Sequence, residues 1–78
     1  MQPVTIRAGA REPEAIAFGK RVRELREARG WTQEQLAEAA GLTSVQVSRI
    51  ENGANEPKLT TILRLVRALG VKAGRLLD

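Results

Sequence analysis

Apolar positions in this chain fall into short periodic groups, each closed by a glycine. Phe18, Val22 and Leu25 recur at i, i+4 and i+7, which predicts a first helix over about Glu14 to Arg29, with Pro13 as its opening residue and Gly30 as its stop. Glycine inside a helix costs roughly 0.5 to 1 kcal/mol against alanine, so Gly19 predicts close packing at that point. In the second group Leu36, Ala37 and Ala40 face inward and Gly41 follows. Thr32 and Gln35 stand three apart at its start, a capping box in which each side chain satisfies a backbone donor of the other. The same device recurs with Thr43 and Gln46 ahead of Val47 and Ile50, and Gly53 sits where a left-handed C-terminal cap belongs. A fourth helix places Leu59, Ile62, Leu65, Val66 and Leu69 on one face and ends at Gly70, although Lys58 is a poor cap for its start. A short fifth turn over Ala73 to Leu77, anchored by Val71, Leu76 and Leu77, is weakened by Gly74.

The expected fold class is therefore all-α, one domain of four helices and a short fifth turn over residues 13–78. Residues 1–12 show no helical period and read as a short flexible N-terminal arm, although "VTI" within it is β-prone. Seventy-eight residues form one domain with a small core, because a chain this short buries only about 60 to 65% of the surface it exposes when unfolded. The lone Trp31 is expected to plug the core between the first two helices. Cysteine and histidine are both absent, which excludes disulfides, thiol nucleophiles, Cys/His metal sites and imidazole bases. No apolar run approaches the ~18 residues of a spanning helix, and no signal peptide is evident, so a soluble cytoplasmic protein is expected.

Charge changes the picture more than composition does. Residues 1–30 carry seven basic and four acidic side chains, residues 31–56 one and four, and residues 57–78 five and one, within a formal total of +4. An acidic partner would be drawn by the flanks, while the middle supplies something else. Gly41, Leu42 and Thr43 form a turn too short for antiparallel packing, so the second and third helices are expected to cross steeply, as in a helix-turn-helix. With Val47 and Ile50 turned inward, Ser44, Val45, Gln46, Ser48 and Arg49 remain outside. A strip of small hydrogen-bonding groups with one arginine suits the major groove, where base edges offer donors, acceptors and thymine methyls.

The run "TQEQLAEAAGLTSVQVSRIENG", followed by "PKLTTILRLVRALGV", resembles the DNA-binding domain of the Cro/C1-type (XRE family) helix-turn-helix repressors, over about residues 16 to 77. The resemblance implies a compact five-helix domain that forms a homodimer on a double-stranded operator with two related half-sites and represses or activates transcription; the expected place is the cytoplasm, at the nucleoid. It implies base readout by Ser44, Val45 and Arg49, with Gln46 and Ser48 beside them, and backbone contacts from Gln33, Thr43 and Asn52. Arg49 would bond guanine O6 and N7, with a phosphate contact or a surface ion pair to Glu51 or Glu38 as its alternatives, and Val45 would meet a thymine methyl. Lys58, which replaces the usual serine cap, is assigned a phosphate. Arg26 and Glu51 match a partly buried structural salt bridge, and Val71, Leu76 and Leu77 are the expected dimer seam. Val45 departs from the polar reader many relatives carry at that step, and Lys72, Ala73 and Gly74 weaken the last helix, so the dimer is expected to depend on DNA.

Two rivals remain within reach of the sequence. An antitoxin or adaptor would use the same helices to bind another protein. An enzyme is disfavoured, because Glu34 and Glu38 at i, i+4 are an ordinary solvated pair with no nucleophile or metal set beside them. No cofactor is implied.

Overall fold

The protein is described by a computed structural model over residues 12–54 and 56–77, with the backbone alone described at Ala73 and Leu77. Most of the predicted arm, residues 1–11, and Asn55 of the predicted loop lie outside the described residues. Five helices follow one another: α1 Pro13–Ala28, α2 Gln33–Ala40, α3 Ser44–Glu51, α4 Leu59–Leu69 and α5 Ala73–Leu77.

The two short central helices are fixed locally before they pack. Thr32 Oγ1 accepts from the Gln35 backbone N–H at 3.1 Å while Gln35 Oε1 accepts from the Thr32 N–H at 2.8 Å. Thr43 and Gln46 repeat both bonds at the same distances. Such caps are worth about 1 kcal/mol each, which matters for helices of eight residues. Gly41 closes α2 in the left-handed region at φ 70°, and its carbonyl accepts from Arg64 Nη1 at 3.1 Å, tying α4 to the turn. Arg29 does the same for the far end of α4, donating through Nε and Nη2 to the Leu69 carbonyl at 3.1 and 2.7 Å.

The core takes Phe18 and Val22 from α1, Leu36, Ala37 and Ala40 from α2, Val47 and Ile50 from α3, Leu65 and Leu69 from α4 and Leu76 from α5. Trp31 is not its plug. The indole is half-buried at the edge of this cluster, with the Arg29 guanidinium 4.9 Å from the ring centroid, a cation–π contact. Gly19 explains itself: a Cβ there would run into the backbone carbonyls of Ile50 and Glu51, so its absence lets α1 lie directly on the end of α3.

Leu59 corrects the reading of α4, for it is 70% exposed. At 3.6 residues per turn it falls about 100° from the midpoint of Leu65 and Leu69, outside the buried stripe, with Ile62 and Val66 as half-buried flanks between. Leu76 corrects the expected dimer seam. It is only 2% exposed and belongs to the core, because α5 folds back onto α1 and α4. Val71 is half-buried against the same cluster, and the side chain of Leu77 lies outside the described residues.

Candidate nucleic-acid interface

The capped start of α3 and its packing on α1 and α2 decide which side chains it can offer. Val47, Ile50 and Glu51 are buried, so Val45, Gln46 and Arg49 stand exposed on the outer face with Ser44 and Ser48 half-buried beside them. Val45 is 58% exposed, an apolar side chain in water. Arg49 makes no ion pair among the described residues, and neither Glu38 nor Glu51 holds it. Gln46 is partly committed, since Oε1 serves the cap of α3 and leaves only Nε2 for other partners. Ser48 Oγ accepts a long 3.4 Å bond from Asn52 Nδ2, which keeps the exposed Asn52 at the lower end of the helix.

Two clefts flank this helix, so that α3 forms a ridge between them. One, of about 380 Å³, lies between the starts of α2 and α3 and is lined by Thr32, Gln33, Glu34, Ser44, Val45 and Ser48. The other, of about 400 Å³, has Gln46 and Arg49 on one wall and Pro57, Lys58 and Thr61 on the other, with Glu56 at its edge. Of the sequence-predicted residues, Gln33, Ser44, Val45 and Ser48 line the first cleft and Gln46, Arg49 and Lys58 the second, while Thr43 and Asn52 line neither. Lys58 makes no side-chain cap bond at the start of α4, and its ammonium is left exposed. Thr43 is half-used, its oxygen accepting from Gln46 while the hydroxyl proton is free to donate. Glu34, expected only as one of a solvated pair, and Glu56 also line these clefts and bring negative charge to them.

Beneath the ridge sits the one buried ion pair among the described residues. Arg26 Nε meets Glu51 Oε2 at 2.6 Å and Arg26 Nη2 meets Oε1 at 3.0 Å, a two-pronged contact with both residues at least nine-tenths buried. The third arm of the guanidinium, Nη1, donates to the Trp31 carbonyl at 2.6 Å. The Glu51 hydrogen bond holds the Arg26 pKa above its ordinary value against the opposing effect of burial. Gln33 Nε2 joins the same carboxylate, donating to Glu51 Oε1 at 3.1 Å. That bond spans 18 residues of sequence, and no local pattern announces it.

No group of His, Cys, Asp and Glu among the described residues is arranged to hold a metal, and no described helix is long and apolar enough to cross a membrane.

Comparison with known proteins shows the family and the fold. The chain is 45% identical over 56 residues to the HTH-type transcriptional repressor RghR of Bacillus subtilis (strain 168), a match covering 70% of this chain and 42% of that protein. It spans 22 to 56% of the length of the curated relatives it matches here. Its fold superposes on the restriction-modification controller protein C.AhdI from Aeromonas hydrophila with a TM-score of 0.81 and 38% identity, over 83% of this chain and 98% of that one. The biofilm regulator SinR, solved in complex with DNA, superposes with a TM-score of 0.74 and 29% identity, over 78% and 98% of the two chains. The helix-turn-helix family model matches residues 22–76, from the middle of α1 into α5, and the chain belongs to that family, in its Cro/C1-type branch.

Proposed function

We propose that this chain is a sequence-specific transcriptional regulator that binds double-stranded DNA as a homodimer and acts chiefly by repression. One observation carries the reading. The exposed face of α3 offers Val45, Arg49 and half of Gln46 without intramolecular partners, while the neutral polar side chains of Gln33 and Ser44 line the cleft on one side, with Glu34, and Lys58 lines the cleft on the other, with Glu56. Phosphate contacts position such a domain and base contacts specify its site. Gln33, Thr43, Asn52 and Lys58 take the first role, and Ser44, Val45, Gln46, Ser48 and Arg49 the second. A repressor so bound blocks polymerase by occupying the duplex, in the cytoplasm where the DNA lies.

The partner across the operator is a second copy of this chain, with the two α3 helices about 34 Å apart to meet successive major grooves. Val71 keeps part of its surface for that contact, and Leu59 and Leu63, exposed on the outer side of α4, add apolar area. An adaptor or antitoxin that binds only protein is the weaker reading, because it leaves Arg49 and Lys58 beside α3 without a use.

Salt dependence separates the two. Affinity for a random-sequence duplex should fall with salt on a log–log slope of about −3 or steeper, as several phosphates release their counterions. Gln33→Ala should weaken binding to any duplex by about five- to tenfold while leaving that slope nearly unchanged, since an uncharged amide releases no counterion. Affinity that ignores salt, or one chain per duplex in sedimentation of the complex on its selected operator, would contradict the proposal.

A further inference from the structure

We infer that Glu51 is a positioning residue for DNA: its buried carboxylate sets the orientation of the Gln33 amide and so aims that amide at a phosphate. The inference rests on the DNA-binding reading above and names a residue that does not itself reach the surface.

The chemistry of the acceptor decides the orientation. A carboxylate accepts hydrogen bonds and donates none, so an amide beside it must present its NH2 group and not its carbonyl oxygen. Gln33 does so, with Nε2 3.1 Å from Glu51 Oε1. One of the two Nε2 protons is thereby consumed. The amide is half-buried at the wall of the cleft it shares with Ser44, Val45 and Ser48, and its remaining N–H is left for that cleft. Gln33 is also the first residue of α2, where backbone N–H groups have no helical acceptor. A phosphate oxygen at that point meets a side-chain N–H and a backbone N–H from the same residue.

Glu51 does not need Gln33 for its own stability. Arg26 already gives it two bonds, at 2.6 and 3.0 Å, and no buried side-chain polar atom among the described residues is unpaired. The bond to Gln33 therefore acts on the glutamine. Arg26 supplies what the arrangement would otherwise lack, because a bare carboxylate behind the amide would repel the phosphate it helps to bind. Paired, the two side chains are neutral together. They orient the amide without opposing the ligand.

The test uses a variant that removes the carboxylate and leaves no buried charge, Arg26→Met/Glu51→Met, since replacing a whole buried pair by apolar side chains is often neutral for folding. The probe is a random-sequence duplex at low salt, with folding of every variant checked by circular dichroism. If the amide is aimed by Glu51, the pair-replaced protein should bind the duplex about fivefold more weakly than wild type, although folded. Adding Gln33→Ala should then change affinity by less than about 1.5-fold, whereas in the wild-type background the same change costs about fivefold. Equal effects of Gln33→Ala in both backgrounds would overturn the role. A second measurement needs no variant: 15N relaxation of the Gln33 side-chain amide in the free wild-type protein should show it ordered, and an amide as mobile as in an unfolded chain would overturn the proposal whether or not the variants fold. Wild-type binding that Gln33→Ala leaves intact would sink the positioning role alone. Failure of wild type to bind the duplex at all would remove the DNA-binding reading together with it.

Discussion

Replacing Arg26 by methionine alone, or Glu51 by glutamine alone, should cost about 3 to 5 kcal/mol of folding stability, the penalty of leaving one member of a buried pair without its mate. Small domains have only about 5 to 15 kcal/mol in total, so either change should bring the protein close to unfolding at growth temperature. The magnitude follows from position. Both residues are at least nine-tenths buried, the contact is two-pronged at 2.6 and 3.0 Å, and it joins α1 to the last residue of α3 while Nη1 also holds the Trp31 carbonyl ahead of α2. Arg26→Met thus frees a carbonyl as well as a carboxylate. Replacing both members should cost much less than either single change, because no charge is then stranded. Raising the pH through a moderate range does not reproduce Arg26→Met. Arg26 has its folded pKa raised, so its contribution is fully present below the unfolded arginine value and is lost only as pH climbs through the still higher folded one. Urea unfolding followed by circular dichroism measures all three variants, and single losses below about 0.5 kcal/mol would mean that the pair behaves as a surface contact.

Gly19→Ala should also destabilise the domain, by about 2 kcal/mol net, although alanine is the better helix former. Propensity alone predicts a gain of up to about 1 kcal/mol. Against it, the new methyl would meet the backbone carbonyls of Ile50 and Glu51, and backbone at the end of α3 cannot rotate aside as a flexible side chain would. Overpacking of this kind costs about 1 to 3 kcal/mol, and the upper end applies where both neighbours are main chain. The displacement has a functional side, since it pushes the end of α3 away from α1 and moves Glu51 with it. Gly19→Ala should therefore weaken DNA binding even at temperatures where the variant is folded. A variant at least as stable as wild type in thermal unfolding would show that α1 and α3 are not in contact at this point.

What the sequence disclosed and what it hid divide by range of interaction. The two capping boxes and the ends of α2 and α3 follow from residues three apart, so Thr32, Gln35, Thr43 and Gln46 could be placed from the sequence alone. The outward face of α3 follows from helical period once Val47 and Ile50 are inside. Arg26 and Glu51 lie 25 residues apart and were reachable only through the resemblance to a family, never through spacing. The bond from Gln33 to Glu51 was not anticipated in any form, because a glutamine opening an exposed helix gives no sign of a buried acceptor. Leu59 and Leu76 were misplaced for opposite reasons. Leu59 is apolar and near the right period but lies beyond the edge of the buried stripe, whereas Leu76 looked available because α5 is too short to show a face. Arg29 and Arg64, read only as charge, turned out to bind the carbonyls at the ends of α4 and α2.

That α3 reads base edges through Arg49 is the central claim, and a titration of Arg49→Ala beside wild type tests it most directly. Both proteins are measured against an operator selected from a random duplex pool, against its single-base-pair substitutions, and against random duplex, at one salt concentration. A lost bidentate contact to guanine removes about 1 to 3 kcal/mol of discrimination at one base pair. The account predicts that the variant binds the operator more weakly, loses less on random duplex, and becomes indifferent to substitution of one guanine in each half-site. Uniform weakening across all duplexes, with the wild-type base preference kept, would contradict it and make Arg49 a backbone contact.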